Sequence, residues 1–147
     1  MRIMAIDYGD AHTGVAISDP TGFLTGTTHT IHSRKEEVVL QELKRLAEEY
    51  QVEELVMGFP RNMDGSEGPR AELYRSFAQR VEETTGLKPV LWDERRTTID
   101  AHRILFDAGK NAKKRKKTVD AVAASLILEG YLTFRRTRKA EEEREET

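Results

Sequence analysis

Three acidic residues, Asp7, Glu94 and Asp120, each stand next to a different apolar segment of the sequence. A carboxyl group on its own ionises at about pH 4, so three of them close together repel strongly at neutral pH. A hard divalent cation removes that repulsion by accepting oxygen ligands from all three. The chain has no cysteine, and its four histidines, predicted to be ordinary surface residues, lack metal-ligand spacing. The acids therefore form a candidate site for Mg²⁺ or Mn²⁺ rather than Zn²⁺.

Each acid also has an ordinary structural explanation. Asp7 stands in "DYG", whose residues are typical of turns. Asp120 lies near the start of a predicted helix, where free backbone N–H groups and the helix dipole favour a negative charge. Taken singly, each acid is more often structural than catalytic. The set gains weight because each acid belongs to a different apolar element, at the end where a site would form.

Two neighbouring acids, Asp93 and Glu94, follow the apolar segment "PVLW". Neighbouring side chains of a strand point to opposite faces, so only one of the two can face Asp7. Trp92 shares a face with Glu94, and Leu91 shares the other face with Asp93. The alternation alone does not choose between the two acids.

Apolar periodicity and turn residues predict five strands and four helices in the order βββαβαβαα. The predicted strands are "RIMAIDYG", "TGVAISD", "LTGTTHTIH", "EELVMGF" and "PVLW", and the predicted helices run from Lys35 to Tyr50, through Leu73 to a stop at Gly86, from Thr97 or Thr98 to about Gly109, and from Thr118 through Phe134. This order predicts an α/β fold with a five-stranded mixed sheet, in which three antiparallel strands precede two parallel ones and helices cover both faces. Sites in such sheets form beyond the carboxyl ends of the parallel strands.

Length and composition indicate one domain. The 147 residues match a common domain size, with a single domain expected over residues 1–138 and a charged, frayed or disordered tail over 139–147. The lack of cysteine excludes disulfides and thiolate chemistry and agrees with a cytoplasmic protein. The N-terminal apolar stretch is too short for a signal peptide or a membrane span, so no membrane partner is expected.

The net charge of -2 hides a basic segment. Residues 88–120 carry 10 basic and 5 acidic side chains, whereas residues 1–87 carry 9 and 15. The densest run, "KNAKKRKK" from Lys110 to Lys117, is predicted to be a mobile loop because its like charges repel. A merely solvated loop is the common outcome for such a run, and polyanion binding is the functional alternative.

Four segments resemble, in order and spacing, the signature blocks of the bacterial YqgF (RuvX) family: "MAIDYGDAHTGVAISD", "LVMGFPRNMDGSEGPRAELYRSF", "LWDERRTT" and "KKTVDAVAASLILEGYL". The resemblance covers Met4 to Leu132 and implies a ribonuclease H-like fold. It also implies a metal-dependent nuclease that hydrolyses phosphodiester bonds in 5′-end maturation of pre-16S rRNA. The implied partners are a precursor RNA and precursor ribosomal particles. The alternatives are a Holliday-junction resolvase acting on branched DNA and a non-catalytic nucleic-acid-binding module.

The resemblance also assigns roles to residues. The catalytic and metal-binding acids are Asp7 of "DYG", Glu94 of "DER" and Asp120 of "VDAVAA", which selects Glu94 over Asp93 and leaves Asp93 as a supporting acid. The implied mechanism uses two ions, Mg²⁺ or Mn²⁺, about 3.5 to 4 Å apart, which activate a water and stabilise the leaving oxygen.

Substrate contacts are expected around these acids. The expected residues are Arg61, Asn62, Arg95, Lys113, Lys114, Arg115, Lys116 and Lys117. The segment "GFPRNMDGS", which holds the first two, reads equally well as a plain turn. His12 and Thr13 depart from the family, in which a basic and an aliphatic residue often occupy these positions. "DYGDAHTGVA" also resembles the phosphate-binding hairpin of actin-like ATPases, but those enzymes close two such domains around a nucleotide, and this chain has the length of one.

Overall fold

The computed structural model describes residues 1–60, 66–93 and 112–146, with the side chains of the last segment described from 122 to 145. The described elements are strands β1 (Arg2–Asp7), β2 (His12–Ser18), β3 (Thr25–His32), β4 (Val52–Phe59) and β5 (Val90–Asp93) and helices α1 (Glu36–Glu49), α2 (Arg70–Thr85) and α3 (Ala112–Glu146). They follow the predicted order, and α2 ends as predicted at Gly86, whose φ of 80° favours glycine. The helix predicted from Thr97 or Thr98 to Gly109 lies outside the described residues.

The strands form a five-stranded sheet in the order β3-β2-β1-β4-β5. Antiparallel pairs join β1 to β2 and β2 to β3, and parallel pairs join β1 to β4 and β4 to β5. The predicted mixed sheet is therefore confirmed. Because β1, β4 and β5 run in one direction, they end along the same edge of the sheet, at Asp7, Phe59 and Asp93. We call this edge the carboxyl edge.

Helices cover both faces of the sheet, as predicted. One face packs against α1 and α2 in a core that includes Met4, Ile6, Val15, Ile17, Leu55, Met57, Leu43, Leu46, Phe77 and Val81. The other face packs against α3 in a core formed by Ile3, Ala5, Ala16, Val56, Trp92, Ala124, Ile127, Leu128, Tyr131 and Leu132. Successive residues of β1 thus enter opposite cores, which explains why the strand is apolar throughout instead of alternating with polar residues.

Helix α3 differs from the sequence prediction at both ends. It begins at Ala112 rather than at Thr118, so residues 112–117 of the basic run are helical and the predicted loop is wrong there. It continues to Glu146, through the segment expected to fray or be disordered. Lys, Arg, Glu and Ala are strong helix formers, and a like-charge pair one turn apart costs only roughly 0.2–0.5 kcal/mol. Helix propensity therefore outweighs charge repulsion. None of the described helices, α3 included, is long and apolar enough to cross a membrane.

Helix α3 runs antiparallel to β1 across the sheet. Glu54 of β4 lies in register with Ile3, near the beginning of β1. The Glu54 carboxylate helps to raise the pKa of Tyr131, so the two side chains are close, and the Arg135 guanidinium pairs with the same carboxylate at 3.2 Å. The second half of α3 therefore lies over the beginning of β1, and the preceding turns of the helix lead toward the carboxyl edge.

Tyr131 gives the stability of the fold a dependence on pH. Burial, and after it the Glu54 carboxylate, raises the pKa of Tyr131 from 10.0 to about 12. The unfolded chain releases this proton first, so the stabilisation is complete below the unfolded pKa and is lost as the pH rises through the folded one. Between about pH 9 and pH 11 we expect the free energy of unfolding to fall by about 1 kcal/mol more in the wild type than in Tyr131→Phe, measured by urea titration.

Some decline should remain in the variant, because burial also raises the pKa of Tyr8, which both proteins keep. The same decline in Tyr131→Phe and in the wild type would contradict the raised pKa of Tyr131.

Candidate active site

Asp7 is the last residue of β1 and lies at the carboxyl edge. It stands opposite Gly14 of β2 in the strand register. Ile3 and Ala5 belong to the core beneath α3, and alternation along the strand directs Asp7 to the same face. The residue is half-buried. Its carboxylate is therefore partly shielded by the protein and partly accessible to ligands from solvent.

The alternation of β5 separates Asp93 from Asp7. Trp92 belongs to the core beneath α3, so its neighbour Asp93, the last residue of β5, is directed to the opposite face. The two acids consequently leave the carboxyl edge on different faces of the sheet. Asp93 is thus the less suitable of the two neighbouring acids for binding the same metal ion as Asp7.

Most of the residues predicted for the site have side chains outside the described part of the chain. Glu94, Arg61, Asn62 and Arg95 lie outside the described residues, whereas Asp120, Lys113, Lys114, Arg115, Lys116 and Lys117 belong to the first turns of α3, where only the backbone is described. Among the side chains that are described, no three of Asp, Glu or His form a group that could hold a metal ion. Of the three predicted metal ligands, only Asp7 has a side chain that the structure describes.

The backbone of α3 leads toward the carboxyl edge when it is followed back from its second half. Arg136 donates a hydrogen bond to the Phe23 carbonyl, in the turn at the opposite end of the sheet. Asp120 precedes Arg136 by about 24 Å along the helix axis. The helix therefore carries Asp120 toward the edge at which β1 ends with Asp7.

The loop that follows Asp7 is held by helix α2. The hydroxyl of Tyr74 donates a hydrogen bond of 2.8 Å to the backbone carbonyl of Tyr8. The Tyr8 ring stacks on Phe77 with 3.7 Å between the ring centroids. Both contacts fix the backbone immediately after Asp7. In the sequence, Tyr74 and Phe77 show only the helical spacing of core residues, and no pattern distinguishes their role in positioning this loop.

Arg70, the first residue of α2, places an exposed guanidinium beside the same loop. Its Nη2 atom lies 3.8 Å from the Asp10 carboxylate and donates a hydrogen bond of 3.4 Å to the Tyr74 hydroxyl. The side chain is 57% exposed, so the cation remains accessible to an anionic ligand. Sequence reasoning passed over Arg70 because an isolated arginine at a helix start carries no distinctive spacing.

Strands β2 and β3 bring His12 and His32 together at the end of the sheet where Asp7 lies. The two residues stand opposite each other in the register, and their Nδ1 atoms are 2.8 Å apart, so one ring donates a hydrogen bond to the other. The sequence prediction missed this pair because strand register is not contained in residue spacing. Thr13 is fully buried, and its hydroxyl makes no hydrogen bond with the described residues. An aliphatic side chain would fill this position without leaving a buried hydroxyl unpaired.

Tyr74→Phe tests the contact that holds the loop. The change removes the hydroxyl donor to the Tyr8 carbonyl and keeps the ring contacts, so we expect a loss of about 1 kcal/mol in the free energy of unfolding, measured by urea titration. Tyr50→Phe, at the half-buried end of α1, serves as the control. Equal losses in the two variants would contradict a specific role for the Tyr74 hydroxyl.

Two solved resolvases share the fold at low sequence identity. Thermus thermophilus RuvC in complex with a Holliday junction substrate matches with a TM-score of 0.56 and 14% identity, over 92% of this chain and 96% of that chain. Fowlpox virus resolvase in complex with Holliday junction DNA matches with a TM-score of 0.54 and 14% identity, over 90% of this chain and 97% of that chain. The fold is therefore ribonuclease H-like, as the sequence resemblance implied.

Two sequence relatives match along nearly their whole length. The Halothermothrix orenii protein named "Putative pre-16S rRNA nuclease" is 46% identical over 134 residues, which are 91% of this chain and 96% of the relative. The protein of the same name from Carboxydothermus hydrogenoformans is 42% identical over 135 residues, which are 92% and 98% of the two chains. The family model described as "RuvX: Holliday junction resolvase" matches residues 1–134. This chain belongs to the RuvX family.

Proposed function

We propose that this protein is a divalent-metal-dependent nuclease that hydrolyses phosphodiester bonds of pre-16S rRNA during maturation of its 5′ end. The observation that carries the proposal is the position of Asp7, at the end of the central strand and on the face that α3 covers. The names of the relatives at 46% and 42% identity support the choice of substrate.

Asp7, Glu94 and Asp120 are the proposed metal ligands and catalytic residues. Asp7 has the central place, because β1 lies between β2 and β4 in the sheet. The alternation of β5 supports Glu94 over Asp93. Side chains two residues apart in a strand share a face, so the residue after Asp93 is expected on the face of Trp92, which is also the face of Asp7. The direction of α3 supports Asp120, because the helix leads from its core residues toward the carboxyl edge. Three carboxylates in a chain without cysteine form a donor set that fits Mg²⁺ or Mn²⁺.

Bound Mg²⁺ or Mn²⁺ ions supply an activated water and stabilise the leaving oxygen of an in-line displacement. Asp7, Glu94 and Asp120 would hold these ions through their carboxylate oxygens. Tyr74 keeps Asp7 in place through its bond to the carbonyl of the next residue. Water is the attacking group, so no side chain of the set becomes covalently attached to the substrate.

The proposed substrate-binding residues are close in sequence to the proposed catalytic acids or to strand ends at the carboxyl edge. Lys113 to Lys117 precede Asp120 by one to two turns of α3, where their charges can neutralise backbone phosphates. Arg95 follows Glu94, and its planar guanidinium suits a phosphate. Arg61 and Asn62 follow β4, which ends at the same edge. The described Arg70 joins this group as an exposed cation next to the loop after Asp7.

Resolution of branched DNA is the second candidate function, and it rests on the description of the matching family model. The deciding experiment compares cleavage of a 5′-extended pre-16S RNA with cleavage of a four-way DNA junction, in Mg²⁺, in Mn²⁺ and in EDTA. Metal-dependent cleavage of the RNA supports the proposal, and cleavage of the junction alone replaces it with resolvase activity. Cleavage of neither substrate would favour a binding module and overturn the nuclease.

Removal of single charges tests the three acids. We expect Asp7→Asn, Glu94→Gln and Asp120→Asn each to lower the rate of metal-dependent RNA cleavage by more than about 100-fold, because each removes a ligand, while thermal unfolding stays cooperative. Asp93→Asn is the matched comparison, since Asp93 is directed to the other face, and it should lose far less activity. Wild-type rates in any of the three variants would remove that acid from the mechanism.

Neutralisation of the basic turns tests their part in binding. Changing Lys113, Lys114, Arg115, Lys116 and Lys117 to glutamine should weaken RNA binding, because fewer counterions are released. The slope of log affinity against log salt should become shallower by about 0.7 for each phosphate that the protein no longer neutralises. A variant with Lys44→Gln and Lys88→Gln controls for net charge elsewhere on the surface. An unchanged slope in the glutamine variant would mean that the basic turns are merely solvated.

A further inference from the structure

At the end of the sheet opposite the carboxyl edge, the turn between β2 and β3 is braced by hydrogen bonds. The Asp19 carboxylate accepts bonds of 2.9 Å from the backbone N–H of Phe23 and from the hydroxyl of Thr21. The Phe23 bond stabilises the ionised carboxylate and is the main reason that the pKa of Asp19 is lowered. Gly22 has a φ of 73°, and a Cβ there would lie 2.6 Å from the Met1 carbonyl oxygen. The turn therefore presents Phe23 in a defined position.

Phe23 is an exposed aromatic residue that belongs to neither core. It is 55% exposed, and the neighbouring Leu24 is 61% exposed. The guanidinium carbon of Arg136 lies 4.3 Å from the centroid of the Phe23 ring, and Nη1 of Arg136 donates a hydrogen bond of 3.4 Å to the Phe23 carbonyl. Helix α3 thus supports the ring with a cation and leaves more than half of the residue open to solvent.

The depression beside Phe23 is rich in cations from α3. It has a volume of about 580 Å³, and its charged lining residues are Arg135, Arg136, Arg138, Lys139 and Glu142. Arg135 and Arg138 form ion pairs with Glu54 and Glu142. Arg136, in contrast, is held by neutral acceptors, the Phe23 carbonyl and the Thr133 hydroxyl, and it has no ion pair among the described residues. Its positive charge therefore remains uncompensated next to an open aromatic ring.

We propose that Phe23, Arg136 and Lys139 form a distal RNA surface that binds a single-stranded stretch of the substrate away from the scissile bond. An exposed aromatic ring accepts an unstacked base, and adjacent cations accept the phosphates on either side of it. Bases inside a duplex are already stacked on their neighbours, so the ring selects unpaired nucleotides. The inference rests on the proposed function, because it takes the ligand to be the same nucleic acid.

Helix α3 sets the separation between the distal RNA surface and the carboxyl edge. Asp120 and Arg136 are about 24 Å apart along the helix axis. A fully stacked strand, at about 3.4 Å per nucleotide, needs about seven nucleotides to cover that distance, and an extended single strand needs fewer. A substrate must therefore extend well beyond the cleavage position to engage Phe23.

The test measures RNA affinity of the full-length protein in EDTA, where metal-dependent cleavage is suppressed, by fluorescence anisotropy of a labelled oligouridylate of about 25 nucleotides. Phe23→Ala should weaken binding roughly fivefold or more, which is the expected loss of one base–aromatic stack. Arg136→Gln should also weaken it. Phe23→Trp should restore affinity, because it retains an aromatic face, and Lys44→Gln on α1 should bind like the wild type. Fully paired RNA of the same length should bind Phe23→Ala and the wild type equally.

Equal affinity of Phe23→Ala and the wild type for the oligouridylate would overturn the proposal, as would an equal loss for paired RNA. A change in the sedimentation of Phe23→Ala, with unchanged RNA affinity, would instead assign the surface to a protein contact and reject RNA as its ligand. The outcome is independent of catalysis. If the wild type cleaves no RNA and Phe23→Ala still loses affinity, the nuclease proposal fails and the distal RNA surface stands.

Discussion

The central strand β1 is buried on both faces, and this constraint determines the rest of the arrangement. Ile3, Met4, Ala5 and Ile6 are all completely inaccessible to solvent, and they enter two different cores in turn. A slip of one residue in the pairing of β1 would exchange the two faces and force each side chain into the wrong core. The same slip would direct Asp7 toward α1 and α2. Core packing therefore determines which face of the sheet receives the central acid.

The agreement between sequence and structure is best where one physical effect dominates a segment. The apolar run of β1 has to be a buried strand, and Gly86 ends α2 because it adopts a positive φ at low cost. The basic run before Asp120 involves two opposing effects, repulsion between like charges and the helix propensity of lysine and arginine. Its helical conformation follows from their balance, and composition alone does not show which effect is larger.

Some features of the candidate site follow from local sequence, and others arise only when the elements pack together. Placement of Asp7 at the end of an apolar strand could be predicted, because strand length and alternation are local properties of the sequence. The Tyr74 hydroxyl and the Tyr8 carbonyl, in contrast, meet only after α2 has packed on the sheet. The contact between His12 and His32 likewise requires the register of two strands. Neither contact can be recognised from residue spacing, although both lie at the end of the sheet where Asp7 lies.

Helix α3 is uninterrupted from Ala112 to Glu146. The rotation of any one turn about the helix axis therefore fixes the rotation of all the others. One residue inserted between Asp120 and Ala124 would rotate the preceding turns by about 100° and advance them by about 1.5 Å. The core from Ala124 to Leu132 would remain packed, so the fold would survive while the acid and the basic turns pointed elsewhere. Substitutions at exposed positions of α3 leave this geometry unchanged, but the number of residues between its acid and its core is fixed.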